Sequence, residues 1–391
     1  MKKRNWIRVP LAAMLLGCLT GCWDRTEIND LAFVLTSALD IEKDGKIRYS
    51  VLVPLPGQMG GPSGGGGGTG GEKSYYIDSE TGNTSREAQS KLQQRMSRRM
   101  FLAHRRTVLV GEELAKKGIR FLFDAIPRTP ESRMTTYMIV TKGKAYDMLK
   151  ASPKFERFPS EAIRELVKSR SAIQMNMKDV GVSLSAPGTD PVLAYMTEKE
   201  SQKSEKPSKE VEMAGYAQFK DDKMIGTLEG AAADGLAWLK NQTITTSINV
   251  KLTEEIHATA RIYDSQTHMD VKLEGGKPRF QIKVQAKSKI LEITSYFDLS
   301  RTDKIQIVEK EISAYIKKAM QETIKTMQQK EADSAMLGGY IWRAYPRLWE
   351  EQYAKDWPAG LKDAEFQIEV STTLMEPGDI YNNVTKSEGG Q

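Results

Sequence analysis

The hydrophobic and polar positions of this chain change period several times, and each change predicts an element. Leu31 to Ile41 is apolar and rich in strand formers, and in Lys46 to Val53 the residues Ile47, Tyr49, Val51 and Val53 alternate onto one face. Glu42-Lys43-Asp44-Gly45 between them supplies turn chemistry, so the pair predicts a β-hairpin. Tyr75-Tyr76-Ile77 resumes the sheet. From Thr84 to Met100 the residues Ala88, Leu92, Met96 and Met100 recur every fourth position, which is one face of a helix. Thr107 to Val110 predicts a short buried strand, Gly111 to Ile126 a helix stopped by Pro127, Met134 to Val140 a strand, and Lys144 to Lys150 a helix. Another helix begins at Ser160 and runs through Leu166 and Val167.

The second half is simpler. Ala214 to Lys220 and Met224 to Leu228 flank Asp221-Asp222-Lys223 as a second hairpin, and Gly230 to Lys240 predicts a short helix. Thr243 to Leu252, Ile256 to Tyr263 and Arg279 to Thr294 are strand-like, with Phe280, Ile282, Val284 and Ala286 alternating cleanly. Asp303 to Gln328 carries Ile305, Val308, Ile312, Ile316, Ala319 and Met327 at the three-and-four spacing of a buried helical stripe. Leu337 to Tyr353 follows with Trp342, Tyr345 and Trp349, and Phe366, Ile368 and Val370 predict a closing strand. Helices and strands so interleaved predict an α+β fold of several domains, with mixed or antiparallel sheets wrapped by helices.

Two stretches punctuate the pattern. Residues 57–71 are nearly pure glycine and have no side chains to bury, which predicts a flexible surface loop. Glu198 to Glu210 contains no apolar residue and predicts a charged linker. These breaks divide the chain into an N-terminal α/β domain over 22–197, the linker 198–210, a mainly-β domain over 211–295, a helix-rich α/β domain over 296–378 and a loose tail over 379–391.

Residues 1–21 read as a removable signal. Lys2, Lys3, Arg4 and Arg8 precede an apolar run from Val9 to Leu19. About 11 apolar positions are too few to span a hydrocarbon core that needs roughly 20. The run ends in Leu19-Thr20-Gly21-Cys22, which resembles a bacterial lipobox: cleavage falls between Gly21 and Cys22, and the Cys22 thiol takes a diacylglyceryl group. A thiol suits that role because its thiolate is a strong nucleophile. Leu15-Leu16-Gly17-Cys18 is a poorer match, because Leu fits less well than Thr before the Gly.

That cut changes the composition. The formal charge of +6 falls to +2, because the leader carries four cations and no acid. A nearly neutral mature chain offers no global charge argument for nucleic acid. Only two cysteines exist, Cys18 in the leader and Cys22 at the lipid site, so neither a disulfide framework nor a Cys-based metal site is expected.

The glycine run contains Gly66, Gly68 and Gly71 in G-x-G-x-x-G spacing, yet a phosphate loop needs a helix directly after it, and Tyr75-Tyr76-Ile77 favours strand. His257 and His268 do not have the spacing of a helical ligand pair, and they read as exposed hairpin residues beside Asp264 and Asp270. With His104 they complete the histidine count. No nucleophile elbow is present, so neither catalysis nor any cofactor or metal is expected.

One charge cluster stands out. Lys91, Arg95, Arg98, Arg99, Arg105 and Arg106 crowd the end of one predicted helix and the start of the next strand. A solvated helix end would explain the cations through the helix dipole. A functional reading makes Arg95, Arg98, Arg99, Arg105 and Arg106 a contact for anionic headgroups or for an acidic partner. Trp342, Tyr345 and Trp349 read chiefly as core and secondarily as a partner patch.

Three segments resemble the Ger(x)C spore-germination lipoproteins. They are Cys22-Trp23-Asp24-Arg25-Thr26-Glu27-Ile28-Asn29-Asp30-Leu31 behind the lipobox, Arg99 to His104 leading to Val110-Gly111-Glu112-Glu113-Leu114-Ala115, and Gly215 to Lys220 with Gly235 to Lys240. The glycine run is longer and purer than the family pattern, and Gly230 to Asp234 is blander.

The resemblance implies a non-enzymatic C subunit of a nutrient germinant receptor, acting with two membrane-embedded subunits, A and B. It also implies lipid anchorage on the outer face of the inner spore membrane, and three α/β-mixed domains. The rival expectation is an extracytoplasmic lipoprotein that binds a small nutrient itself.

Overall fold

The structure is a computed structural model that describes residues 27–55, 74–169, 171–202, 205–242 and 245–375. Gly21, Cys22, the leader, the whole glycine run 57–71 and the tail beyond 375 lie outside the described residues.

The N-terminal half is organised by an eight-stranded mixed sheet. Its strands are β2 (Thr36–Ile41), β3 (Ile47–Pro54), β4 (Tyr75–Gly82), β6 (Thr107–Gly111), β7 (Tyr137–Thr141), β8 (Val192–Glu200), β9 (Lys209–Lys220) and β10 (Lys223–Glu229), in the spatial order β10-β9-β8-β7-β6-β2-β3-β4. The four central strands are parallel, and the flanking strands on each side are antiparallel.

Parallel strands are buried on both faces, and β6 shows it: all five of its residues are buried. Val108 and Val110 pack with Leu39, Val51, Met138 and Val140 on one face. Leu109 packs with Ala38, Ile139 and Met196 on the other, under α4 (Ala145–Met148) and α5 (Pro159–Lys168). The first face is covered by α1 (Ser85–Gln93), α2 (Glu112–Lys117), α3 (Leu122–Ala125) and α6 (Met177–Ser185). Asp40, at the end of β2, ties strand to helix by accepting Ala145 N–H at 2.7 Å and Tyr146 N–H at 2.9 Å.

The second half is a four-stranded sheet in the order β11-β12-β13-β14. Its strands are β11 (Thr246–Lys251), β12 (His257–Glu274), β13 (Lys277–Ile293) and β14 (Glu365–Leu374). Gly275 and Gly276, at φ +59° and +79°, make the two-residue turn between β12 and β13. Phe280, Ile282, Val284 and Ala286 are buried in alternation, as their spacing predicts. The 29-residue helix α8 (Thr302–Lys330) lays Val308, Ile312, Ile316 and Ala319 into the core, and α7 (Ala231–Leu239) crosses it. This mixed α+β architecture agrees with the fold class expected from the sequence.

Several boundaries differ, each for a physical reason. In the stretch expected as a linker, 198–210, the described residues 198–200 and 209–210 belong to β8 and β9, with Glu198, Lys199 and Glu200 pairing with Val211, Glu210 and Lys209. Backbone hydrogen bonds and the Lys199–Glu212 ion pair at 2.7 Å replace apolar burial there. The segment 211–295 does not hold a sheet of its own: β9 and β10 complete the first sheet, and β11 to β13 build the second. The boundary placed near 295 separates β13 from β14, which lie side by side as parallel strands.

The helix expected to reach Met100 stops at Gln93, because Arg99–Phe101 (β5) pairs with Leu31–Phe33 (β1) as a two-stranded parallel ribbon. The helix expected over 111–126 breaks at Gly118, whose φ of +134° is a conformation that glycine favours.

Candidate interface at the sheet edge

Thr36, Thr107 and Tyr137 stand side by side at the amino ends of β2, β6 and β7, and Thr36 also faces Leu52 near the carboxyl end of β3. This edge of the large sheet receives the chain from the segment that carries Cys22. The ribbon of β1 and β5 lies against it, tied by Val34 N–H to the Phe101 carbonyl at 3.1 Å and by Arg106 N–H to the Leu35 carbonyl at 2.8 Å. Phe33 meets Phe101 edge-on at 5.6 Å between ring centroids and His104 at 5.3 Å, so His104 packs as a ring.

Beside the ribbon opens a groove of about 640 Å³. Leu31, Phe33, Val53, Leu55 and Met96 give it an apolar floor, and Arg95 and Arg98 stand at it. Ile28, which also lines it, is 74 % exposed. An exposed apolar side chain at an apolar groove is the arrangement of a surface that meets another apolar phase or partner.

The five arginines singled out in the sequence do not form one patch. Arg95 is held by Asp78 at 2.8 Å and Glu80 at 2.7 Å, and Arg99 by Glu131 at 3.2 Å. Arg98 is exposed at the groove. Arg105 is only 4 % exposed, and burial works against its charge; with the exposed Arg106 it lines a different cavity. The aromatic trio also divides. Trp349, 4 % exposed, packs with Tyr353 and Trp357, whereas Trp342 is 41 % exposed. Among the described residues no group of three or more His, Cys, Asp or Glu side chains could hold a metal ion, and His268 pairs with Asp270 at the surface at 3.0 Å.

A buried acidic junction escaped the sequence reading. Asp190, just before β8, accepts Asp221 N–H at 2.6 Å and Asp333 N–H at 2.7 Å. Asp333, beyond the end of α8, accepts Leu337 N–H at 2.8 Å, Gly338 N–H at 2.7 Å and Trp357 Nε1–H at 2.9 Å. It therefore joins the first sheet to the start of α9 (Leu337–Ala344) and to the aromatic cluster. Burial pushes the Asp333 carboxyl up to about 6 despite its donors, and raises Asp190 as well. Nothing in the local spacing marks these two aspartates as partners. By contrast, α6 was detectable from its capping box, in which Asn176 and Asp179 bond each other's backbone N–H.

Comparison with known proteins places this architecture. The family described as "Spore germination protein N-terminal domain" matches residues 24–198, and the family described as "Spore germination B3/ GerAC like, C-terminal" matches residues 214–378. The chain is 33 % identical over 384 residues to the putative spore germination protein YfkR of Bacillus subtilis (strain 168), covering 98 % of this chain and 100 % of the relative. It is 27 % identical over 389 residues to spore germination protein KC of the same organism, covering 95 % of each. The crystal structure of the GerBC protein shares the fold at a TM-score of 0.55 and 17 % identity, over 87 % of this chain and 96 % of that one. Matched along nearly its whole length by both families, the chain belongs to the Ger(x)C family of spore germination proteins.

Proposed function

We propose that this protein is a lipid-anchored, non-enzymatic subunit of a spore nutrient germinant receptor. In this reading it is held at the outer face of the inner spore membrane and acts with two membrane-embedded subunits. The observation that carries the proposal is the lipobox Leu19-Thr20-Gly21-Cys22, followed after Trp23 by the family match that begins at Asp24. A diacylglyceryl group on Cys22 supplies the two chains that stable anchoring requires.

Other features support it. Among the described residues no helix is long and apolar enough to cross a membrane, so attachment through Cys22 would be the means of holding the chain there. The apolar groove lies where the chain arrives from Cys22, which suits a surface apposed to lipid or to a membrane-embedded partner. Anchorage also confines the protein to a plane and raises its effective concentration beside partners in the same membrane.

Isolation from detergent-solubilised inner spore membranes tests the partnership. Affinity-tagged protein is expected to bring down two multi-span membrane proteins in fixed ratio to itself. Recovery of the tagged chain without such proteins, under conditions that keep other membrane complexes whole, would contradict the reading.

A further inference from the structure

A second cavity, of about 220 Å³, lies at the same edge of the large sheet, and cations from three separate segments line it. Arg105 and Arg106 come from the turn before β6, Arg133 from the loop before β7, and Arg164 and Lys168 from one face of α5. Two hydrogen bonds hold the first two segments together: Tyr137 N–H donates to the Arg106 carbonyl at 3.0 Å, and the Thr136 hydroxyl to the Arg105 carbonyl at 3.2 Å. Arg164 is ion-paired through Nη2 to Glu161 at 2.9 Å and to Glu165, while its Nε–H has no hydrogen-bond partner. Among the described residues no carboxylate lies within ion-pair distance of Arg105, Arg106, Arg133 or Lys168, and no acid lines the cavity.

Arg105 stands apart from the other cations. It is 4 % exposed, its Nε–H has no hydrogen-bond partner, and its Nη2 reaches only Ser132 Oγ at a long 3.4 Å. Its side chain also hydrogen-bonds with the Tyr49 hydroxyl and feels the like charge of Arg86, and Tyr49, Arg86 and Ser132 all line a neighbouring pocket under α1 and α3, so the guanidinium is engaged on that side of the sheet. What faces the 220 Å³ cavity without an ion pair among the described residues is Arg106, Arg133 and Lys168, three cations from three segments whose summed field favours an anion between them.

We propose that this cavity is a binding site for a phosphate oxyanion. Guanidinium groups present planar forks of donors that match phosphate oxygens, and several cations together suit a dianion. An amino-acid zwitterion fits worse, because its ammonium would enter a lining with no acid to receive it. Two sources offer the same chemistry: a lipid headgroup, made plausible by the shared edge with the apolar groove, and free phosphate. The site stands whether or not Cys22 carries lipid.

The test uses the full chain in detergent, heated in increasing inorganic phosphate against sodium chloride of equal ionic strength. A saturable rise in the melting midpoint is expected for the wild type. Half-saturation should move up about tenfold or more in Arg133→Gln and in Lys168→Gln, both at exposed positions that leave the fold intact. Lys272→Gln, an exposed cation on the other sheet, should leave the response unchanged.

A second arm measures co-sedimentation of the Cys22→Ala chain with phosphatidylcholine vesicles, with and without phosphatidylglycerol. A phosphate response lost in the two cavity variants identifies the free anion as a ligand. Retention on phosphatidylglycerol vesicles that those variants lose, without a phosphate response, identifies the headgroup. Variants indistinguishable from wild type in both arms, or an equal loss in Lys272→Gln, would overturn the site.

Discussion

Asp333→Ala is expected to destabilise the protein by about 4 kcal/mol, because it strands several buried donors at once. The carboxylate accepts Leu337 N–H and Gly338 N–H at the start of α9 and the indole N–H of Trp357, and it is fully buried. Alanine removes every acceptor and leaves the donors dry. Asp333→Asn keeps one oxygen but must turn its NH2 toward at least one donor, so about 2 kcal/mol is expected. Denaturant titration checks both, and a loss under about 1 kcal/mol for the alanine variant would show that the junction tolerates solvent.

The same carboxyl sets a pH dependence of unusual sign. Its folded-state value of about 6 lies above the ordinary 3.8, so between those values the folded chain keeps a proton that the unfolded chain has released. Stability from this group therefore rises as pH falls from 7 through 6 toward 4, by about 3 kcal/mol when complete. Asp190 shifts in the same direction. Ion-paired carboxylates such as Glu87 and Glu331, held low by Lys91 and Lys220, oppose the trend only at lower pH. The wild type should gain thermal stability from pH 7 to 5, and Asp333→Asn should gain less.

Gly235→Ala gives the second large effect, and its sign is diagnostic. In a free helix alanine is better than glycine by about 1 kcal/mol. At this position an added Cβ would collide with the Ala319 carbonyl and the Thr323 hydroxyl of α8, where α7 crosses it. Thr323 also donates to the Ala232 carbonyl at 2.8 Å, so the helices cannot separate without losing that bond. A net loss of about 3 kcal/mol is expected, as for other overpacked cores, and Gly235→Val should be worse. A stabilised Gly235→Ala, read by thermal denaturation, would mean that the crossing is looser than described.

Elements that bury one regular face were legible in the sequence. The alternation of Phe280 to Ala286 and the stripe from Val308 to Ala319 each reflect a single surface against a single core, and both are buried as expected. Elements stabilised by something other than apolar burial were not. Residues 198–200 of β8 and 209–210 of β9 pair through backbone and charge, so their all-polar sequence looked like linker.

The same limit hid parts of the sites. Arg105 and Arg106 stood out in the sequence, but Arg133, Arg164 and Lys168 reach their cavity from distant loops and a helix, which no local spacing records. Asp190 and Asp333 meet across more than a hundred positions for the same reason. Conversely, Arg95 and Arg99 looked available as sequence neighbours but are engaged by Asp78, Glu80 and Glu131 from other segments. The groove became visible only once β1 and β5 paired.

In the proposed reading, Cys22 places this protein at a membrane where nutrient sensing depends on it. The most direct measurement is nutrient-triggered germination of spores in which Cys22→Ala replaces the wild-type chain at equal protein level, with membrane and soluble fractions assayed in parallel. Loss of the chain from the membrane fraction together with loss of the nutrient response is the predicted result. Spores that germinate normally with the variant in the soluble fraction would contradict it.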